Sequence, residues 1–131
     1  MKKDILTRED IIRLVDAFYE KALVDMMIGP VFYAGIDMEH WEEHATRIYD
    51  FWETVFLGTD AYRGNPFSKH IHLPIENRHF DRWLELFKDT VTCLFEGDKT
   101  DEIIDRAEKM SLMFASKLNH VRKNKNWKPI I

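Results

Sequence analysis

The sequence predicts an all-α domain, on three observations. Apolar residues recur at three- and four-residue spacing in four separate stretches, those stretches are bracketed by capping and stop signals, and no stretch alternates apolar with polar residues as a half-buried strand does. At 131 residues the chain forms one domain, 1–131, long enough to bury about two thirds of its unfolded surface. Residues 1–6 are expected to be a flexible N-terminus and 122–131 a basic C-terminal tail.

The first helix is announced by Thr7-Arg-Glu-Asp10, which has the form of a capping box. Ile11, Leu14, Val15, Phe18, Ala22 and Met26 then form an apolar stripe, which Gly29-Pro30 is expected to end. Tyr19 lies beside the stripe, either with its hydroxyl in water or pointed into a cavity. Val31 to Ile36 reads as a short apolar connection in which Phe32 must pack on something. Asp37 is the next expected N-cap, followed by Trp41, Ala45, Ile48, Trp52 and Val55 on the buried face of a helix that stops near Gly58. His44, Ile48 and Phe51 form a second line close to the first, so His44 and Ile48 face the same object. Arg47 follows nearer the polar edge. Gly58 to Asn65 is turn chemistry. Asn77 is a plausible cap for Phe80, Trp83, Leu84, Phe87, Val91 and Leu94, a helix that runs to Gly97. Asp98 or Thr100 starts the last helix, with Ile103, Ile104, Ala107, Met110, Phe114, Leu118 and Val121.

Composition excludes several function classes. The net charge of −4 is dispersed along the chain and offers no footprint for nucleic acid. No apolar run reaches bilayer length, and the first residues lack a signal-peptide core. The lone Cys93, expected inside a helix core, fits a reducing compartment and hence the cytoplasm. Aromatics make up 13% of the chain, with nine Phe and four Trp; such side chains fill a core or line a flat, apolar ligand site.

Two histidine patterns bear on that choice. His40-Trp-Glu-Glu-His44 matches the H-x-x-E-H form of inverted zinc peptidases, but such an enzyme needs a third protein ligand and a cleft, and His40 is expected to face solvent. The other pattern lies between Pro66 and Pro74, which confine His70 to little more than one helical turn. A short, rigid turn suits an axial ligand, the alternative being a surface turn that happens to carry histidines. His70 and His72, two apart, diverge unless the backbone is extended, so they are not expected to bind one metal together. A single axial histidine asks for a cofactor that supplies the remaining ligands, and haem does so while demanding a flat apolar slot. Tyr19, His44 and Trp83 would then supply hydrogen-bond donors from three helices to the opposite face.

Together these residues resemble the truncated haemoglobins, specifically the bacterial group III branch. The resemblance runs from about Asp10 to His120. It is carried by Ala17-Phe-Tyr-Glu-Lys21, Gly29-Pro-Val-Phe32, Trp41-Glu-Glu-His44 with Phe51-Trp52, Pro66-Phe-Ser-Lys-His-Ile-His-Leu-Pro74, and Phe80-Asp-Arg-Trp-Leu-Glu-Leu-Phe87. It implies a truncated globin, a two-over-two helical sandwich around haem b, with a shortened first helix and the helix carrying the iron ligand reduced to a turn. Carried over by position, His70 is the iron ligand, chosen over His72 by its spacing to Leu73-Pro74. Phe32 packs on the porphyrin, with Ile48 and Phe51 beside it, and Tyr19, His44 and Trp83 stabilise the distal ligand. The glycine pairs of other truncated haemoglobin groups are absent, so their internal tunnels are not implied. Arg47 and Lys69 are candidates to pair with haem propionates, or are ordinary surface cations.

The function implied is binding of O2 and other diatomic ligands, NO and CO among them, with slow O2 release. Nitric oxide detoxification or peroxidase-like chemistry on peroxide would follow, served by an unidentified reductase. A non-catalytic gas-sensing or haem-carrying module is the alternative.

Overall fold

A computed structural model describes residues 2–62, 64, 73 and 75–123. Among them are five helices and no strand: α1 (Arg8–Ala22), α2 (Gly29–Gly35), α3 (Trp41–Leu57), α4 (Asn77–Leu94) and α5 (Asp98–Lys123), with a 3-10 turn at Met38–His40 before α3. α1 packs against both α3 and α4, and α4 packs on α5. The result is two helical layers, α1 with α3 over α4 with α5.

The capping box at Thr7 is present: the Thr7 hydroxyl accepts from the Asp10 amide, and the Asp10 carboxylate accepts from the amides of Thr7 and Leu6 at 3.1 and 2.9 Å. α1 ends earlier than its stripe suggested, at Ala22, because Asp25 turns the chain. Its carboxylate accepts from the amides of Met27 and Ile28, both at 3.0 Å. Met26 therefore leaves the stripe and is 96% exposed. Gly29-Pro30 opens α2 instead of closing α1, since proline at a first helical turn forfeits no hydrogen bond. The expected connection at 31–36 is thus mostly helix.

Asp37 caps the 3-10 turn through the Glu39 amide, and α3 follows from Trp41. α3 stops at Gly58, whose φ of 70° is a left-handed cap that glycine adopts without strain. α4 is capped by Glu76, one residue before the expected Asn77. The His79 side chain completes that box by accepting from the Glu76 amide at 2.8 Å. Cys93, two residues past buried Val91, sits on the outer face of α4 and is exposed instead of lying in the core.

The expected flexible N-terminus is tied down. Ile5 is buried in the core, Lys3 O accepts from the Glu96 amide at 3.0 Å, and the Asp4 carboxylate caps α5 by accepting from the amides of Lys99 and Thr100. Gly97, with φ of 143°, permits this approach; a Cβ there would stand 2.5 Å from Asp4 Cγ.

The main core joins Ile11, Leu14, Val15 and Phe18 of α1 to Trp52 and Phe56 of α3, Phe87 and Val91 of α4, and Ile103 and Ala107 of α5. A smaller cluster of Ile75, Phe80, Phe114 and Leu118 seals the start of α4 against α5, with Leu73 and Val31 packed on it. There Arg122 donates to the carbonyls of Ile75 at 2.5 Å and Leu73 at 3.2 Å.

Candidate functional site

The layers bring Tyr19 of α1 and His44 of α3 together. The Tyr19 hydroxyl lies 3.4 Å from His44 Nε2, and the phenol ring is enclosed by Phe32 of α2 at 5.4 Å and Trp41 of α3 at 5.1 Å between ring centres. Tyr19 does not place its hydroxyl in water: it is 7% exposed and faces His44. Burial, with a smaller contribution from Tyr49, pushes its phenol above the ordinary tyrosine range, so it remains a hydrogen-bond donor at neutral pH.

Trp83 of α4 reaches this group through Phe18, whose ring meets Trp83 at 6.0 Å and Tyr19 at 5.6 Å. Phe32 also meets Phe18, at 6.5 Å. Phe32, Ile48, Phe51 and Trp83 pack on the core while each keeps part of its surface outside it. Arg47 is exposed on α3. His70 and Lys69 lie outside the described residues, as do His72, Pro66, Pro74 and the tail from 124 onward.

Two ionic clamps hold the elements that carry the site. Arg8 donates to Asp50 at 2.8 Å and Glu53 at 3.3 Å, and the Tyr49 hydroxyl donates to Asp16, so α1 is fixed against α3. Burial and then the Asp16 carboxylate push the Tyr49 phenol up to about 12. The second clamp runs from Asp25, below α2, to Arg82, beside Trp83, with two N–H···O bonds of 2.8 and 2.9 Å.

The second clamp has a pH signature. The Arg82 guanidinium, with the Ile28 and Met27 amides, holds the Asp25 carboxyl below the ordinary carboxylate range against the opposing effect of desolvation. A depressed folded pKa gives stabilisation that is complete above the unfolded value of about 3.9 and disappears as pH falls through the folded one. Asp25→Asn is expected to cost about 2 kcal/mol at pH 7 through its weakened hydrogen bonds. Its urea-midpoint curve should also fall less steeply than wild type below roughly pH 4. Parallel curves for the two proteins would exclude Asp25 as a contributor.

Sequence reasoning did not place Trp41, Asp25 or Arg82 at the site. Trp41 was legible only as a core-stripe residue, yet it touches both Tyr19 and His44, the latter at 5.7 Å. Its position three residues before His44 on one helical face was the available signal. The H-x-x-E-H reading fails geometrically: His40 lies in the 3-10 turn, exposed and 2.6 Å from Asp37, whereas His44 turns to Tyr19. Among the described residues, no cluster of three or more His, Cys, Asp or Glu could hold a metal ion. An open groove of about 630 Å³ between α4 and α5, lined by Asn77, Phe80, Ser111, Ala115 and Asn119, includes none of the candidate site residues.

The sequence pattern of the bacterial-like globin family matches residues 4–116. The chain belongs to the bacterial-like globins. It is 33% identical over 121 residues to the group 3 truncated hemoglobin ctb of Campylobacter jejuni, covering 90% of this chain and 95% of that protein. The crystal structure of group III truncated hemoglobin from Campylobacter jejuni superposes with a TM-score of 0.81 at 33% identity, over 90% and 95% of the two chains. The all-α, two-over-two truncated globin architecture is therefore the fold of this chain.

Membership in the globins implies haem as the cofactor, and the described residues fit such a group. Phe32, Ile48, Phe51 and Trp83 retain apolar surface that a flat macrocycle would cover. Beside them Tyr19 and His44 supply polar hydrogens or lone pairs in an otherwise aromatic enclosure. No helix among the described residues is long and apolar enough to cross a membrane.

Proposed function

We propose that this globin holds haem b through His70 and uses Tyr19, His44 and Trp83 to retain oxygen and other diatomic ligands, releasing oxygen slowly. The observation that carries the reading is the buried Tyr19 hydroxyl, 3.4 Å from His44 Nε2. That separation is long for a hydrogen bond from a hydroxyl. The phenol therefore keeps the freedom to turn toward a better acceptor.

When bound, haem supplies an iron centre that takes up diatomic gases and exchanges single electrons. Phe32, Ile48 and Phe51 offer the macrocycle apolar contact, and Arg47 and Lys69 offer its carboxylates positive charge. Tyr19 can donate as a neutral phenol, the form that burial favours further. The Trp83 indole can only donate, whereas His44 donates from one nitrogen and accepts at the other, which suits it to moving a proton.

A hydrogen bond to a charged acceptor is worth about 1.5–3 kcal/mol, which slows ligand release roughly ten- to a hundredfold per donor. Carbon monoxide, with little charge on its outer atom, gains less. Long retention suits chemistry on the ligand better than delivery of it. Two reactions fit: oxidation of nitric oxide to nitrate, with a reductase returning one electron per cycle, and reduction of peroxide with His44 moving the proton. A cytoplasmic setting, where such a reductase is at hand, belongs to the same proposal.

Stopped-flow oxygen dissociation tests it. Tyr19→Phe and Trp83→Phe are each expected to raise the rate about tenfold or more, with smaller changes for carbon monoxide. If both variants release oxygen at the wild-type rate, the reading fails.

A further inference from the structure

We infer that Trp83, Phe87, Trp52, Phe51 and Tyr62 form a conduit that carries single electrons from the protein surface to the pocket, an inference resting on the peroxide-reducing reading above. Trp83 stacks on Phe87 with 5.1 Å between ring centres and 14° between planes. On the same Phe87, Trp52 stacks at 5.1 Å and 24°. The rings around Tyr19 and Phe18 behave differently, meeting edge-on at 65° to 90°. Stacked rings face their π orbitals toward one another, and overlap between donor and acceptor orbitals sets how readily an electron passes. From Trp52 the row continues through edge-on contacts like those around Tyr19 and Phe18, to Phe51 at 5.2 Å and 79° and on to Tyr62 at 5.3 Å and 89°, so the stacked overlap is confined to Trp83, Phe87 and Trp52.

The order of residue types suits the task. Tryptophan and tyrosine give up one electron to strong oxidants, whereas phenylalanine does not hold the charge but fills the gap between those that do. Trp52 and Phe87 are buried, at 5% and 2% exposure, so charge on them is kept from solvent. Tyr62 is partly exposed, and its amide donates to Thr54 Oγ1 at 2.8 Å, which holds the segment to α3. Oxidation of a phenol releases its proton, and Tyr62 has water to receive it. Tyr19 is buried, with its hydroxyl facing the His44 ring instead of water.

The electrons balance as follows. Hydrogen peroxide takes up two electrons and two protons and becomes two waters. One electron leaves Trp83 toward the pocket, Trp52 replaces it, and Tyr62 replaces the electron of Trp52, releases its phenol proton and remains a neutral radical. A surface reductant of the ascorbate class returns one electron and one proton to Tyr62, and a second electron then follows by the same row, so two electrons and two protons from the reductant match those taken up by the peroxide. The oxidising equivalent thus ends at the surface, away from Tyr19 and His44.

The test uses haem-loaded protein mixed with stoichiometric hydrogen peroxide and a nitroso spin trap, read by peptide mass spectrometry and by electron paramagnetic resonance of rapidly frozen samples. Wild type is expected to carry the adduct on Tyr62. Trp52→Phe should lower that labelling severalfold although Tyr62 is intact, and Tyr62→Phe, a surface change that leaves the core untouched, should convert the frozen signal from tyrosyl to tryptophanyl. Tyr33 on α2, 54% exposed, reports random surface attack and should not vary. If peroxide is consumed but the label sits on Tyr19 or Tyr33, or is unchanged on Tyr62 in Trp52→Phe, the conduit is overturned and the peroxide reading stands. Peroxide left unconsumed by wild type overturns both.

Discussion

Phe87→Ala is expected to cost about 3–5 kcal/mol, the usual loss for truncating a buried phenylalanine. Phe87 is 2% exposed and is the one ring that Trp52, Trp83 and Phe18 share, at 5.1, 5.1 and 5.7 Å. The variant leaves a void lined by three large rings on three helices, which cannot collapse together without shifting α1, α3 and α4. Since a domain of this kind has roughly 5–15 kcal/mol in total, the loss approaches half of the stability of a typical member. Urea unfolding followed by far-ultraviolet dichroism measures it. Phe87→Leu keeps most of the volume and should cost no more than about 1.5 kcal/mol. A loss below about 1.5 kcal/mol for the alanine variant would mean that the rings repack.

The second large effect concerns the cofactor. His70→Gly is expected to abolish the Soret band of purified protein, and His72→Ala to leave it in place. The assignment rests on the resemblance to the truncated haemoglobins, whose spacing to Leu73-Pro74 selects His70 over His72. Added imidazole should restore the band in His70→Gly, because the small ligand replaces the missing ring; a variant that had lost its fold would not respond. If His72→Ala loses the band and His70→Gly keeps it, the ligand is the other histidine.

Helices that bury one face were legible, because their stripes follow the 3.6-residue period that packing enforces. Ile11, Leu14, Val15 and Phe18 were read as buried and are. Where a residue serves two opposite uses, the reading went astray. Gly29-Pro30 ends one helix or begins another, and only the Asp25 turn, within the six residues between α1 and α2, decides in favour of a beginning. The α4 cap was placed one residue late because glutamate with a histidine partner is an uncommon box, whereas asparagine is a frequent cap. Cys93 was assigned by residue type, although its spacing from Val91 turns it outward.

For the site, residue identities were legible and their supports were not. Tyr19 and His44 share no sequence neighbourhood, and what sets their distance is the Arg8 and Tyr49 contacts between α1 and α3. Charged pairs of that kind are dispersed in sequence and look like any solvated surface until the helices are docked. Trp41 illustrates the converse: a residue can be correctly placed on a buried face and still be the wall of a ligand site.

The contact of Lys3 and Asp4 with Glu96, Lys99 and Thr100 links residues more than 90 positions apart. Closing it requires α1 and α5 to be docked on α4, so it is expected to form late in folding. Interactions made that late govern how long a native molecule survives before it opens, and they leave the time it takes to form almost unchanged. The first few residues thus act as a latch on the lifetime of the folded state, well away from the pocket whose cofactor that lifetime protects.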